Sequence, residues 1–313
     1  MSDVLVELRS GGKPAMAKTL ARLESHARDE DTIALLDAAF NAPKGQSLGL
    51  TGPPGVGKSS LVNALLREAR QRGLTVGAIA VDPSSGRTGG ALLGDRARLS
   101  SLDPTDQGVF VRSMATRGRL GGVSALAYPS IVVMQAVYDL VLVETVGVGQ
   151  SETEIAGMTD AVMLCIQPAS GDSLQFMKAG IMEVPDLAVV TKSDLGGVAR
   201  RAAADLRTAL SVVEGESLPV QLCSAQSLDG VGELFDSLIS VLSSRPHGLR
   251  SAQAAHWIKA AVLADFGTQG WLAFGERLDN TSRNRPFSEF ERIRNVLTIA
   301  LSKLDFPPGI PDQ

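Results

Sequence analysis

The strongest constraint on the fold is a series of short apolar runs that alternate with stretches of helical periodicity. Each run is rich in β-branched residues and lacks a polar face, which is typical of strands buried on both sides of a sheet. Strands of this kind separated by helices predict an α/β fold with a mostly parallel central sheet. The six runs are SLGLT, LTVGAIAVD, YDLVLVET, DAVMLCIQ, DLAVVTK and LPVQLCSA.

Helical patterns flank the predicted sheet on both sides. Apolar residues at helical spacing predict two short helices within residues 13–40 and further helices after residue 245. We therefore divide the chain into an N-terminal helical extension (1–42), a central α/β domain (43–245) and a C-terminal helical arm (246–313). The apolar residues that define these helices are Met16, Leu20, Leu23, Ile33, Leu35, Leu36, Phe40, Trp257, Val262, Leu263, Phe266, Phe290, Ile293, Val296, Leu297 and Leu301.

Composition and charge exclude several classes of protein. The chain has 30 basic and 34 acidic residues, so no long-range attraction draws it to nucleic acid or to an anionic membrane. No apolar stretch reaches the roughly 18 residues of a membrane span, and acidic residues near the start are unlike a transit peptide. Both cysteines, Cys165 and Cys223, lie inside apolar runs, which argues against disulfides. We expect a soluble cytoplasmic protein that binds neither nucleic acid nor membrane.

The stretch GLTGPPGVGKSSLVNALL, residues 49–66, contains the pattern G-x-x-x-x-G-K-S between a predicted strand and a predicted helix. Its glycines let backbone N–H groups turn toward phosphate oxygens, Lys58 would reach the terminal phosphates, and Ser59 would bind Mg²⁺. The alternative is a Gly/Pro turn that matches by chance, which the strand–loop–helix context disfavours. The sequence therefore predicts a P-loop NTPase. Its candidate phosphate-binding residues are Gly52, Gly55, Val56, Gly57, Lys58, Ser59 and Ser60.

The tetrapeptide TKSD, residues 191–194, ends another predicted strand and indicates which base is bound. The Asp194 carboxylate can accept hydrogen bonds from the ring N–H and the exocyclic amine of guanine, whereas adenine presents a different arrangement. Lys192 would lay its aliphatic stem over the base. The alternative is an ordinary surface turn, and Thr191 replaces the usual Asn, which puts support of the P-loop in doubt. Candidate base-contacting residues after the last strand are Ser224, Ala225 and Gln226.

Hydrolysis of a nucleotide needs Mg²⁺ and a positioned water, so acidic residues at the ends of strands are candidates. Asp82 and Glu144 each end an apolar run, which favours a function, whereas Asp95 could equally cap a helix. Glu144 with Gly147 occupies the place of a D-x-x-G element, where the acid holds metal-bound water. The candidate metal ligands are Ser59, Asp82, Asp95 and Glu144, and the candidate catalytic residues are Lys58, Asp82 and Gln150.

Four longer stretches resemble the MeaB/ArgK family, the GTPases that accompany adenosylcobalamin-dependent acyl-CoA mutases. They are VDPSSGRTGGALLGDRARL, VRSMATRGRLGGVS, VETVGVGQSETEIA and GDSLQFMKAGIMEVPDLAVVTKSD. The resemblance covers the central domain, about residues 43–245, and extends more weakly into both helical flanks. Elements such as VDPSS, RTGG and GVGQSE are far more specific than a P-loop alone.

The resemblance implies a P-loop domain with an N-terminal helical extension and a C-terminal arm that forms a homodimer. It implies a chaperone that binds and hydrolyses GTP, with GTP/GDP and Mg²⁺ as ligands. Such a chaperone gates the loading of adenosylcobalamin from an adenosyltransferase onto a mutase and helps to remove damaged cobalamin. The implied client is methylmalonyl-CoA mutase or a related isobutyryl- or hydroxyacyl-CoA mutase.

The resemblance also implies roles for individual residues. The phosphate and Mg²⁺ site would comprise Lys58, Ser59, Asp82, Asp95 and Glu144, while Lys192 and Asp194 would recognise guanine. Lys178 would lie in a mobile loop and assist hydrolysis when the mutase is bound. The family commonly has a second basic residue after it, and this chain has Ala179. Since no arginine finger can be assigned, we expect slow intrinsic hydrolysis that a partner accelerates.

Other functions remain open at this point. A GTPase that delivers nickel or another metal would need a cluster of Cys and His, and the chain has only three His and two Cys. An ATP-dependent kinase would need adenine recognition in place of Asp194 and a pocket for an acceptor substrate. A binding module without catalysis remains if Asp82 or Glu144 is misassigned.

Apolar side chains of the C-terminal arm would lie either in a core or in a dimer interface. Because helices outside the sheet domain have little else to bury against, we favour a homodimer. These residues are Trp257, Trp271, Phe274, Phe287 and Phe290.

Overall fold

The computed structural model describes residues 3–82, 105–115, 126–145, 151–168, 184–214, 218–245, 249–274 and 284–302. Seven parallel strands form one sheet in the order β3-β2-β4-β1-β5-β6-β7, which confirms the predicted α/β fold. The strands are β1 (Gln46–Thr51), β2 (Val76–Asp82), β3 (Val109–Ala115), β4 (Leu140–Glu144), β5 (Ala161–Ile166), β6 (Leu187–Val190) and β7 (Val220–Leu222).

Strand β3 is the one strand of this sheet that the apolar runs did not predict. It lies at the end of the strand order and pairs with β2. An edge strand needs fewer apolar residues than a central one, and β3 carries Arg112 and Ser113. The Arg112 guanidinium donates a 2.6 Å hydrogen bond to Glu24 in the N-terminal helices. Arg112, which interrupts the apolar pattern of this strand in the sequence, therefore connects the sheet edge to the N-terminal flank.

Helices cover both faces of the sheet. Three helices precede β1 where the sequence predicted two, because the short first helix was missed, and the predicted apolar residues Met16, Leu20 and Leu23 are buried. The helices are α1 (Asp3–Ser10), α2 (Gly12–Ser25), α3 (Glu30–Asn41), α4 (Lys58–Gln71), α5 (Ala127–Gln135), α6 (Ser151–Ala156), α7 (Gly197–Glu214), α8 (Val231–Ser243), α9 (Leu249–Phe274) and α10 (Pro286–Ser302).

The two helical flanks pack together on one face of the sheet. One apolar core joins α1, α2, α3 and α5 with α9, α10 and the sheet, while α4 and α8 cover the other face. Tyr128, Trp257 and Phe287 meet in this core with ring centroids 4.8 to 6.2 Å apart. The domain boundaries at 42 and 245 remain predictions. Within the described ranges, no helix is both long and apolar enough to span a membrane.

Asp37 of α3 links the N-terminal flank directly to the start of α10. Its carboxylate accepts hydrogen bonds from the backbone N–H groups of Phe287 (3.0 Å) and Ser288 (3.2 Å) and from the Ser288 hydroxyl. Burial raises the pKa of Asp37, and these hydrogen bonds oppose that shift. The negative charge lies where the α10 dipole is positive, so Asp37 acts as a helix cap supplied by another helix.

The loop before β3 is held by an ion pair, which gives a first prediction. Arg70 binds Asp106 through two hydrogen bonds of 2.8 and 3.0 Å, and Asp106 also accepts the Gly108 N–H. Hydrogen bonding from Arg70 holds the pKa of Asp106 below its usual range. The stabilisation is therefore present at neutral pH and is lost as the pH falls through that lowered pKa. We expect Asp106→Asn to lower the free energy of unfolding by about 1 kcal/mol or less at pH 7.

Thermal unfolding at several pH values measures this effect. The difference between wild type and Asp106→Asn should shrink toward zero as the solution is acidified below pH ~4. The matched control is Asp236→Asn, because Asp236 pairs with Arg72 while 68% of its side chain is exposed, and it should have a smaller effect at pH 7. A difference for Asp106→Asn that persists unchanged into acid would show that its charge is not the cause.

Candidate nucleotide-binding site

The loop between β1 and α4 needs glycine at three positions for two different reasons. A Cβ on Gly52 would lie 2.1 Å from the carbonyl oxygen of Cys165, so β1 and β5 can approach only without a side chain here. Gly55 and Gly57 have φ of 78° and 96°, a left-handed backbone that favours glycine, and nothing lies within 4 Å of where their Cβ atoms would be. The loop is therefore packed against the sheet at its start and open at its far side.

The first two residues of α4, Lys58 and Ser59, place polar side chains beside the loop. Lys58 is buried, and its Nζ donates hydrogen bonds to the carbonyl oxygens of Gly52 (2.6 Å) and Pro53 (3.0 Å). Ser59 donates a 2.7 Å hydrogen bond to Glu144 Oε1 at the end of β4. Because β4 is the direct neighbour of β1, its last residue comes to the N-terminus of α4, where a negative ligand is favoured.

A cavity of about 390 Å³ lies over this loop. Mg²⁺ prefers oxygen ligands, and the touching oxygens of Ser59 and Glu144 beside the cavity fit that preference. Asp82 is the last residue of β2, two positions beyond the cavity residue Ala80, while Asp95, Gly147, Gln150 and Lys178 lie outside the described residues. The residues that line the cavity are Pro54, Gly55, Gly57, Lys58, Ser59, Ser60, Ala80, Val81, Glu144 and Thr145.

The predicted base-recognition residues meet at the ends of β6 and β7. Asp194 lies in a single 3₁₀ turn after β6, and its Oδ1 accepts a 2.6 Å hydrogen bond from the buried hydroxyl of Ser224. That hydroxyl also accepts the N–H of Ser227, and the Ser224 N–H donates to the carbonyl of Asp229. Ala225 and Gln226 follow in the same loop. The Asp194 carboxylate thus has a fixed orientation and an exposed position, as recognition of a planar base requires.

Two side chains connect this base side to the phosphate loop. The Thr191 hydroxyl donates a 2.7 Å hydrogen bond to the carbonyl of Val56 and lies 3.1 Å from the carbonyl of Ile166, so the loop keeps a side-chain donor although Asn is absent. Lys192, whose φ of 54° is unusual for a residue with a side chain, donates to the Gly55 carbonyl (3.1 Å). It also donates to the Gln167 side chain, a contact that sequence reasoning missed because Gln167 belongs to no motif.

The cysteines are not available as ligands. Both are buried, and burial raises the pKa of Cys165 to about 12 and that of Cys223 to about 11, so both thiols stay protonated at neutral pH. Metal binding needs the thiolate. Among the residues that the structure describes, no group of three or more His, Cys, Asp or Glu side chains could hold a metal ion. The described part of the chain thus gives no support to a metal-delivery function.

A glycine loop after β1, a lysine at the start of α4, and an oriented Asp after β6 on a parallel sheet define a P-loop nucleotide-binding protein. The sequence model of the methylmalonyl-CoA mutase-associated GTPase MeaB matches residues 15–265. The chain belongs to this family, as its motifs predicted, and it is a GTPase.

Individual proteins support this assignment. A protein of Pyrococcus horikoshii described as a GTPase is 47% identical over 62% of this chain and 62% of its own length. GTPase ArgK of Escherichia coli K12 is 36% identical over 83% of this chain and 82% of its own. A solved structure described as an LAO/AO transport system kinase aligns with a TM-score of 0.64 at 27% identity, covering 93% of this chain and 97% of that one.

The Thr191 contact gives the second prediction. Thr191→Val keeps the shape of the side chain and removes the hydroxyl, which leaves the carbonyl of Val56 without this donor. A buried carbonyl that loses its partner costs about 1–2 kcal/mol, so we expect roughly 5–30-fold weaker binding of GDP. Thr191→Ser keeps the hydroxyl and is the control, with near wild-type affinity. Equal affinities for the valine and serine variants in a fluorescence titration would show that the hydroxyl does not support the loop.

Proposed function

We propose that this GTPase is a chaperone that gates adenosylcobalamin loading and protects or reactivates a cobalamin-dependent acyl-CoA mutase. The client would be methylmalonyl-CoA mutase or a related isobutyryl- or hydroxyacyl-CoA mutase, with an adenosyltransferase as the indirect source of cofactor. The family match over residues 15–265 carries this proposal, since the family is described by its association with methylmalonyl-CoA mutase.

Guanine would be recognised by the base side of the site. The Asp194 carboxylate would accept hydrogen bonds from the ring N–H and exocyclic amine, and its hydrogen bond from Ser224 supports an orientation suited to both. The aliphatic stem of Lys192 would lie over the ring while its Nζ stays hydrogen-bonded to Gly55. The loop of Ser224, Ala225 and Gln226 would meet the guanine O6.

The phosphates would lie in the cavity over the glycine loop. Gly52, Gly55, Val56, Gly57 and Ser60 would provide or orient backbone N–H groups, and Lys58 would exchange its carbonyl partners for phosphate oxygens. Ser59 and Glu144, with Asp82 and Asp95, would hold Mg²⁺, which neutralises charge on the β- and γ-phosphates.

Intrinsic hydrolysis would be slow. Of the described residues that line the cavity, none is an arginine, and an arginine finger is a large contributor to phosphoryl transfer. Gln150 would orient the attacking water, and Lys178 would assist when the mutase is bound. Binding of the client would therefore accelerate hydrolysis, and Ala179 would change the extent of that activation.

The C-terminal arm would form a homodimer through a surface that does not include its core aromatic residues. Trp257 and Phe287 are buried within the chain's own core, and Trp271 and Phe290 pack against it. The exposed large apolar side chains of α9 and α10 are better candidates for a dimer interface. They are Leu272, Val296, Ile299 and Leu301.

Guanine recognition gives the third prediction. Asp194→Asn replaces one acceptor oxygen by an NH₂ donor, which faces the exocyclic amine of guanine unfavourably but suits the carbonyl of xanthine. We expect GDP affinity to fall at least about 100-fold and the preference to change toward xanthosine diphosphate, as an unpaired polar group in a binding site is heavily penalised. Competition against a fluorescent nucleotide measures both. If Asp194→Asn still prefers GDP, the base is recognised elsewhere.

Capture of the client tests the chaperone proposal. The protein, loaded with GDP or with a non-hydrolysable GTP analogue, is used as bait in a native extract that contains a cobalamin-dependent mutase. We expect the mutase to be recovered in different amounts with the two nucleotides. The control bait is Lys58→Ala, which removes the lysine of the phosphate loop and should abolish the dependence on nucleotide. Recovery of no mutase in either state would contradict the proposed partner.

A further inference from the structure

A second cavity lies where the two helical flanks meet. Its volume is about 210 Å³, and it shares no lining residue with the cavity over the glycine loop. Helices α2 and α3 of the N-terminal flank, α5, and α9 and α10 of the C-terminal arm all contribute side chains to it. Protein interiors are close-packed, so an apolar cavity of this size leaves core side chains in contact with water unless a ligand fills it.

The walls of this flank cavity are apolar and largely aromatic. The ring of Trp257 lies 4.8 Å from that of Phe287 and 5.1 Å from that of Phe290, measured between centroids, and all three side chains line the cavity. Leu23 and Leu36, both buried, line it from the N-terminal flank. An apolar cavity of about 150 Å³ is enough to bind benzene. The flank cavity therefore has room for a phenyl or branched aliphatic group together with a few further atoms.

Two side chains of opposite charge lie beside these apolar walls. Arg28, between α2 and α3, and Asp265, in α9, both line the cavity and are exposed. Within the described ranges, neither side chain forms an ion pair or a hydrogen bond, with each other or with any other residue. The third charged residue of the lining, Glu291, is already paired with Arg294 at 2.9 Å. Two unpaired charges of opposite sign at one apolar cavity suit a ligand that carries both signs.

A larger polar groove adjoins the flank cavity. Its volume is about 810 Å³, and it shares Arg28, Ile33 and Glu291 with the cavity. The charges along this groove nearly balance, so the groove does not select a ligand of strong net charge. Its charged residues are Arg28, Glu30, Asp37, Arg285, Glu291, Arg292 and Arg294.

We propose that the flank cavity binds a free α-amino acid with an aromatic or branched aliphatic side chain. The side chain of the ligand lies against Trp257, Phe287 and Phe290. Its carboxylate accepts hydrogen bonds from the Arg28 guanidinium, which can hold a carboxylate through two parallel bonds, and its ammonium group donates to Asp265. This site is separate from the nucleotide cavity and does not depend on the proposed function.

A ligand at this position contacts both flanks at once. Arg28 belongs to the N-terminal flank, whereas Trp257, Asp265 and Phe287 belong to the C-terminal arm. A ligand that binds only the folded state stabilises it by mass action. The bound amino acid therefore raises the melting temperature of the wild-type chain in a concentration-dependent way.

Trp257 supplies a fluorescent probe inside the site. The chain has two tryptophans, and of these only Trp257 lines the cavity, so Trp271→Phe leaves a single reporter. We expect L-phenylalanine to change its fluorescence saturably. Two matched compounds test the charges: 3-phenylpropionate lacks the ammonium group and 2-phenylethylamine lacks the carboxylate. Each should bind at least about 10-fold more weakly than L-phenylalanine, because one charged side chain of the site stays without its partner.

Charge variants assign each end of the ligand to a residue. Arg28→Gln should weaken the binding of L-phenylalanine and 3-phenylpropionate and leave that of 2-phenylethylamine unchanged. Asp265→Asn should weaken the binding of L-phenylalanine and 2-phenylethylamine instead. The matched controls are Arg200→Gln and Asp205→Asn, since both residues are exposed on α7 and neither lines the cavity. These controls should leave the binding of all three compounds unchanged.

Three results would overturn the inference. The first is the absence of any saturable response to L-phenylalanine or L-leucine up to about 10 mM, together with an unchanged melting temperature of the wild-type chain. The second is equal affinity for L-phenylalanine and 3-phenylpropionate, which would show that no group pairs with the ammonium. The third is equal affinity of the Arg28→Gln and Arg200→Gln variants for L-phenylalanine. The melting temperature is measured without any substitution, so it decides even where a variant fails to fold.

Discussion

The proposed nucleotide site depends on close contact between the P-loop and the strands that carry the predicted base-recognition residues. Gly52 lies against the carbonyl of Cys165 in β5, and Thr191 after β6 donates to the carbonyl of Val56. These contacts fix the distance between the phosphate-binding loop and the predicted base-binding residues, so that a single nucleotide could contact both. The parallel order of β4, β1, β5, β6 and β7 makes this possible, because each contributes its carboxyl end to the same edge.

The two helical flanks share one core on a face of the sheet. Asp37 of α3 joins the flanks to each other at the start of α10, and Asp160, which precedes β5, lies beside Gln253 of the C-terminal arm. Buried carboxylates of this kind specify one arrangement of helices, since each would be strongly unfavourable without its partners. The C-terminal arm is consequently part of the same packed structure as the sheet.

The sequence predicted the central sheet well and the contacts between motifs poorly. Strands buried on both faces have an apolar pattern that stands out, whereas the edge strand β3 carries Arg112 and Ser113 and was missed. The P-loop and TKSD stand out in the sequence because the chemistry predicted for them is local. Thr191 and Gln167 act across strands separated in sequence, and only the folded register brings Thr191 to Val56 and Gln167 to Lys192. The roles of Asp95, Gln150 and Lys178 stay predictions, as these positions lie outside the described residues.

We propose that the carboxyl edge of the sheet forms a guanine-selective phosphate site. The decisive measurement is displacement of a fluorescent GDP from the wild-type protein in the presence of Mg²⁺, by unlabelled GDP and by ADP. We expect GDP to displace the label stoichiometrically while ADP has no effect at about 100-fold higher concentration, because adenine cannot donate two hydrogen bonds to Asp194. Displacement by ADP at the same concentrations as GDP would show that the site does not select guanine and would favour an ATP-dependent activity.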